Sequence, residues 1–463
     1  MTPSQRSPAT AQSVGATCRV GRTRILLAGA GTATPPPQTE IERTLEEQAI
    51  DAGPAERAAA ARPDLLRRTM VMAVVSRLLT GLVGGLATWL IGVDPAPWAW
   101  RLPRLAEPFH GVLSHVFNPW AVWDGVWFVK VAADGYAGND GSVAFFPLYP
   151  LMVRWLGVVF DNNLVVAGIV LSLACYFGAI YVLYKLVAPR YGSVVAYRTC
   201  LYISIFPTAF YWQAVYSESM FLLLSLVCIL WSTQGRWKLA GLAGLLAALT
   251  RSAGFLLIVP MAVCYVEQRD WRLRRVDADG ASLLMIPEGL MVWMAYLSLR
   301  FGKPLLFAQV QDQWRRYLAV PTFAVWKGIE AAFQGTRQIL SGQTSHLYWP
   351  ASNPGAVMPT AAANIINLGS LVIAVLPIVY GLRRLPVALS LYAIVTIGYP
   401  LLFPSTKMPL MSMPRFVLAA FPVFMATALF TEHRPRAHRI IAGVLIASCV
   451  ALTAKFAMFS WVA

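Results

Sequence analysis

Residues 164–187, LVVAGIVLSLACYFGAIYVLYKLV, carry one charge, Lys185, close to the far end. Such a run, rising about 1.5 Å per residue as a helix, crosses the roughly 30 Å hydrocarbon core of a bilayer. Its apolar residues do not alternate with polar ones as those of a barrel strand would, so the run reads as a helix. Lys185, Arg190 and Arg198 mark its end as cytoplasmic, since cytoplasmic loops retain Lys and Arg. The chain around it agrees. Of 463 residues, 57% are hydrophobic and 13% charged, with mean hydropathy +0.57, where a soluble domain carries about 25% charge. The expected fold is all-α, a polytopic integral membrane bundle.

Outward from that run, Met70–Val93, Val195–Ala214, Met220–Trp231, Ser282–Leu299, Ala361–Leu382, Pro386–Phe403, Arg415–Phe430 and Ile440–Val462 read as further crossings. Leu239–Leu249 and Phe255–Val266 form a pair of short segments, broken at Arg251-Ser252-Ala253-Gly254. Breaks of that kind place polar backbone inside a cavity. Phe145–Phe160, with Pro147, Pro150 and Arg154, reads as re-entrant. The total is about eleven crossings with the C-terminus outside. Arg269, Arg272, Arg274 and Arg275 give the strongest inside mark. Residues 1–64, rich in Ala, Thr, Pro and Glu, read as a disordered cytoplasmic tail. Residues 65–463 read as one membrane-embedded domain, with an external loop and re-entrant segment at 94–160 and a second external loop at 302–359. In that second loop, Gln309–Tyr317 and Phe323–Phe333 have the periodicity of surface helices, and Arg315, Arg316, Lys327 and Arg337 run against the positive-inside bias.

The net charge of +16, from 38 basic and 22 acidic residues, is spread among the connections. It fits cytoplasmic retention and contact with anionic membrane lipids rather than nucleic acid. Five of the six cysteines (all but Cys18) fall in apolar runs, without CxxC or metal-ligand spacing, so neither a disulfide framework nor a metal centre is expected.

Polar chemistry gathers at the outer ends of these spans. The loop Trp123-Asp124-Gly125 to Asp134-Gly135-Tyr136, then Phe145-Phe146-Pro147-Leu148-Tyr149-Pro150, holds carboxylates, indoles and turn residues that a plain connection does not need. Glu218, Arg251, Lys407 and Arg415 fall on the same side. An arginine at the edge of an apolar run is costly and a functional pointer by default, and its fork suits phosphate. Other readings stay open: Asp124 and Glu218 as helix N-caps, Asp134-Gly135 as a plain turn, Lys407 as snorkelling, and Arg251 as a structural partner of Glu218. Together the groups suit displacement of phosphate from the anomeric carbon of a polyprenyl-phosphate sugar, with inversion. Asp124 would be the base on the acceptor hydroxyl, and Arg251, Arg415 or Lys407 would steady the departing phosphate. Neither a cofactor nor a metal is needed, and no Asp-x-Asp cluster asks for one.

Trp123-Asp124-Gly125, Asp134-Gly135-Tyr136 and Ala144-Phe145-Phe146-Pro147-Leu148-Tyr149-Pro150 resemble the first external loop of PIG-V-type mannosyltransferases, multispanning members of the GT-C class. Tyr216-Ser217-Glu218-Ser219, Thr250-Arg251-Ser252-Ala253-Gly254 and Ser412-Met413-Pro414-Arg415-Phe416 resemble later segments, in order. The resemblance runs from about Met70 to the C-terminus. It implies a mannosyltransferase in the cell membrane, active on the extracytoplasmic face, taking mannose from a polyprenyl-phosphate donor to a lipid or glycan acceptor. Asp124 and Asp134 are then the expected catalytic pair. Trp123, Lys130, Tyr149, Glu218, Arg251, Lys407 and Arg415 are the expected donor-phosphate and substrate set. The chain departs from the family at Val122, where a basic residue is usual; if that charge touches the donor phosphate, Lys130 or another residue substitutes for it, or the donor differs. A transporter or flippase of an anionic lipid is the rival reading, and a structural subunit of a glycan-assembly complex is a third.

Overall fold

The computed structural model describes residues 63–93, 102–272, 274, 277–345, 347 and 357–462. The expected tail (save Pro63 and Asp64), Arg275, and the loop stretches 94–101 and 348–356 lie outside the described residues. By contacts the chain divides into Met1–Ala52 and Gly53–Ala463, and the described residues all belong to the second unit. Its helices are α1 (Pro63–Leu90), α2 (Pro103–Ala106), α3 (Val112–Phe117), α4 (Asp124–Asp134), α5 (Leu148–Gly157), α6 (Leu164–Tyr191), α7 (Ser193–Ser204), α8 (Glu218–Thr233) and α9 (Trp237–Thr250). They continue with α10 (Ile258–Glu267), α11 (Met285–Phe301), α12 (Leu306–Gln309), α13 (Pro321–Ser341), α14 (Val357–Gly381), α15 (Val387–Leu401), α16 (Met413–Ala419), α17 (Pro422–Thr431) and α18 (Pro435–Ala457). Among the described residues no strand forms; one lone bridge joins Arg316 and Ser405.

The fold is a polytopic helical membrane bundle. Among the described residues, five helices are long and apolar enough to cross a membrane alone: Asp64–Leu90, Leu164–Tyr191, Ala278–Phe301, Val357–Gly381 and Pro435–Ala457. The α16–α17 pair makes a sixth if counted as one span. Four further expected crossings fall to shorter apolar helices, Glu218–Thr233, Trp237–Thr250, Ser252–Glu267 and Val387–Leu401, and the segment expected to be re-entrant falls to a fifth, Leu148–Phe160. The outer helices turn Leu78, Leu82, Leu376 and Val444 outward, which hydrocarbon tolerates and water would not. The centre is aromatic: Phe206, Phe210, Tyr211, Trp212 and Tyr216 are all essentially inaccessible.

Three expectations need correction, and each correction builds the site. The span expected at Val195–Ala214 stops at Ser204. Pro207 lacks an N–H and disfavours helix at Phe206, so the chain turns through a 3-10 segment, Ala209–Trp212. Arg77 of α1 reaches into that break and donates to the carbonyls of Ser204 (2.7 Å) and Ala209.

The span expected at Arg415–Phe430 is bent by 72° between α16 and α17. Ala420 leaves the helix (φ −80°, ψ 65°) and Pro422 restarts it at a position where a missing N–H costs little. Arg415 therefore stands on a short arm inside the bundle.

The surface helix expected at Gln309–Tyr317 breaks into α12 and a 3-10 turn, Val310–Trp314. Arg315 takes φ 54°, and the chain beyond lies antiparallel to 402–406, with Tyr317 N–H on Pro404 O (3.1 Å) and Ala319 N–H on Leu402 O (3.0 Å). The second expected surface helix forms as the longer α13. It packs on α14 through its small residues: a Cβ on Gly335 would stand 2.7 Å from Ala361 O.

Candidate active site

Asp124 is the first residue of α4, and the residue before it is strained. Trp123 has φ 55° and ψ −119°, a conformation native to glycine and costly for a bulky side chain. Packing holds it there. The Trp123 ring lies 5.0 Å from that of Phe459 and 4.9 Å from that of Trp461. Tyr216 ties down the backbone on either side: the Asp124 N–H donates to its hydroxyl (3.1 Å), which donates to Val122 O (3.0 Å). Gly125 admits the contact, since its Cβ would already touch the Tyr216 ring at 3.4 Å. The Asp124 carboxylate makes no cap on its own helix; it pairs with Arg415.

Arg415 is shared. Its Nη1 meets Asp124 Oδ2, and its Nε meets Glu218 Oε1 at 2.6 Å. Arg251 Nη1 meets the same Glu218 oxygen at 2.6 Å. Asp124, Arg415, Glu218 and Arg251 thus form one line of alternating charge from four separate elements, with Glu218 only 1% exposed. Charges so far from water persist only when paired, and removing one partner of such a pair costs about 3–5 kcal/mol. Tyr211 and Tyr216 present their rings to the Arg415 guanidinium at 5.3 and 5.0 Å. Arg251 arrives through the broken pair of short segments: it is extended (φ −153°, ψ 147°) between α9 and a 3-10 turn. Gly254 lets that turn fold back, because a Cβ there would strike Ala247 O at 2.4 Å. The structural pairing of Arg251 with Glu218 therefore exists, and Glu218 is no N-cap.

Asp124, Arg415 and Arg251, but not Glu218, open onto a cavity of about 370 Å³ whose wall also includes Arg316, Tyr399 and Trp461. Of the expected residues the structure joins Asp124, Glu218, Arg251 and Arg415, and it separates the rest. Asp134 ends α4, exposed, about 15 Å along the axis from Asp124 at 1.5 Å per residue, so the fold does not bring the two carboxylates together. Lys130 turns to Asp140, lies over the Trp127 ring at 5.1 Å and does not line the cavity. Burial works to raise the Asp140 carboxyl, but hydrogen bonds from Lys130 and Ser142 outweigh it and hold it below the usual value.

Tyr149 is buried, with its hydroxyl at Ser172 Oγ (2.8 Å) and Gly168 O (3.2 Å). It backs Phe128, whose ring is 5.0 Å away, and does not line the cavity. Trp123 also stands behind Asp124 rather than in the cavity wall. Lys407 lies off the cavity, and burial followed by Arg315 pushes its ammonium down. Among the described residues no three His, Cys, Asp or Glu side chains group to hold a metal. Sequence reasoning missed Arg316, Tyr399 and Trp461 as cavity residues. Only Arg316 gave a signal, as a basic residue in a loop where the positive-inside bias expects none.

The model of the mannosyltransferase (PIG-V) family matches residues 67–271, a stretch that contains Asp124, Glu218 and Arg251. Three curated proteins called GPI mannosyltransferase 2 are similar. The one from Drosophila melanogaster is 25% identical over 205 residues, 40% of this chain and 45% of that protein. The one from Schizosaccharomyces pombe is 30% identical over 156 residues, 33% and 32% of the two chains. The one from Drosophila pseudoobscura pseudoobscura is 23% identical over 175 residues, 34% and 38%. The chain thus spans less than half the length of each of these relatives. No solved structure matches it.

Proposed function

From the match of residues 67–271 to the mannosyltransferase (PIG-V) family, we propose that this chain is a membrane glycosyltransferase that moves mannose from a polyprenyl-phosphate carrier to a hydroxyl of a lipid or glycan acceptor. The observation that carries the reading is Asp124, ion-paired to Arg415 at the wall of the cavity. Arg415 engages Oδ2, leaving Oδ1 to take the proton of an acceptor hydroxyl. Glu218 holds Arg415 in place from the other side.

In the proposed step the acceptor oxygen attacks the anomeric carbon and gives its proton to Asp124. The bond from that carbon to the phosphate oxygen breaks, and its electron pair leaves with the phosphate. Attack opposite the leaving group inverts the anomeric configuration. The acid–base term in such a reaction is worth about 10²–10⁴ in rate. We place the reaction at the outer membrane face, because the basic ends of the spans point the other way.

The test is purified protein in vesicles with polyprenyl-phosphate mannose labelled in the sugar. Transfer of label to an acceptor with inverted linkage supports the proposal. Movement of the intact lipid-linked sugar across the vesicle without transfer would replace it with a flippase.

A further inference from the structure

Four charges at or behind the cavity wall pair off: Asp124 and Glu218 with Arg415 and Arg251. Two more line the cavity, Arg316 and the exposed Asp312. Arg316 lines the same cavity, and among the described residues no carboxylate forms an ion pair with it. Its guanidinium is held by dipoles instead, donating from Nη1 to Phe403 O (3.1 Å) and from Nη2 to Met411 O (3.3 Å). Of a guanidinium's five N–H donors, two go to these carbonyls. The backbone beneath is fixed as well. The Arg316 N–H donates to Gln311 O (3.3 Å), Arg315 sits at φ 54°, and Ser405 Oγ donates to Trp314 O (2.8 Å) across the lone bridge.

A cation kept in place without an ion-paired carboxylate is a seat for an anion. Burial, and then the neighbouring Arg415, lower its pKa to about 10, so it stays charged at neutral pH while lacking what an anion would supply. We propose that Arg316 binds the phosphate of a lipid-linked carrier. Naming the carrier rests on the transfer reading above; the anion site itself does not. Arg316 belongs to a loop beyond the stretch matched to the family. A diester phosphate before transfer and a monoester after it differ in charge, the monoester reaching about −1.5 to −2 at pH 7. The site therefore holds the departing phosphate more tightly than the arriving one, and the spent carrier should inhibit as product.

The experiment is binding to the full chain in nanodiscs, without sugar, using polyprenyl phosphate, polyprenol, inorganic phosphate and phosphatidylglycerol. Arg316→Gln should weaken polyprenyl phosphate about 10- to 100-fold, the range for one charge-assisted contact. Arg316→Lys should fall between, and polyprenol should bind wild type and variants alike. Equal binding of polyprenyl phosphate by wild type and Arg316→Gln overturns the proposal. So does competition by phosphatidylglycerol or inorganic phosphate at the same concentrations, since the site would then be indifferent to the carrier. If Arg316→Gln does not fold, Arg316→Lys decides: it must bind polyprenyl phosphate better than it binds polyprenol. Binding through Arg316 without any mannose transfer would leave this inference standing and remove the transferase reading. Transfer with no dependence of binding on Arg316 would do the reverse.

Discussion

Arg415→Lys tests the charge line at its centre. In the wild type two different nitrogens serve two different carboxylates, Nε for Glu218 at 2.6 Å and Nη1 for Asp124. A lysine ammonium is one point charge, without the planar fork that lets one side chain meet both. It will hold buried Glu218, which is 1% exposed, and release Asp124, which retains some access to the cavity. One charge-assisted hydrogen bond is lost, worth about 1.5–3 kcal/mol. Stability should fall by about that amount, out of a typical total of about 5–15 kcal/mol. Transfer should fall about 10- to 100-fold if the contact also orients the carboxylate. Arg415→Gln should do more harm, about 3–5 kcal/mol, because it leaves both carboxylates without their shared cation. Thermal unfolding in detergent and transfer of labelled mannose, measured on the same preparations, check the two magnitudes. Native stability and rate in Arg415→Lys would refute the shared-cation reasoning.

Gly254→Ala should destabilise by about 1–3 kcal/mol, the usual cost of overpacking, because its Cβ would meet Ala247 O at 2.4 Å; an unchanged unfolding temperature would contradict this. The Asp140 carboxyl is held below its usual value against the pull of burial by Lys130 and Ser142. Its contribution to stability is therefore complete above the unfolded value of about 3.9 and lost as pH falls through the lower folded value. Unfolding scans from pH 7 to pH 3 should show wild type losing its margin over Asp140→Asn only at the acid end.

The helical membrane bundle was legible because hydrocarbon leaves backbone few choices, and a run such as 164–187 admits one reading. The breaks were legible where glycine or proline forces them, as at Arg251-Ser252-Ala253-Gly254. They were less so where proline ends a helix inside an apolar run, as at Pro207 and Pro422, because apolarity alone does not distinguish a straight span from a bent one. Asp124, Glu218, Arg251 and Arg415 stood out because charge is costly among apolar residues. Asp134 and Lys130 shared a short loop with Asp124, but sequence proximity does not say which way a helix points its far end. Arg316 and Trp461 reach the cavity through tertiary folding of a loop and of the chain end, which local pattern does not encode.

The most direct test of the account is Asp124→Asn, which keeps the shape of the side chain while weakening it as a base. With binding of polyprenyl-phosphate mannose and its transfer measured on one preparation, binding should stay within a few-fold of wild type and transfer should fall by at least about 10²-fold. Transfer at the wild-type rate by folded Asp124→Asn would contradict the account.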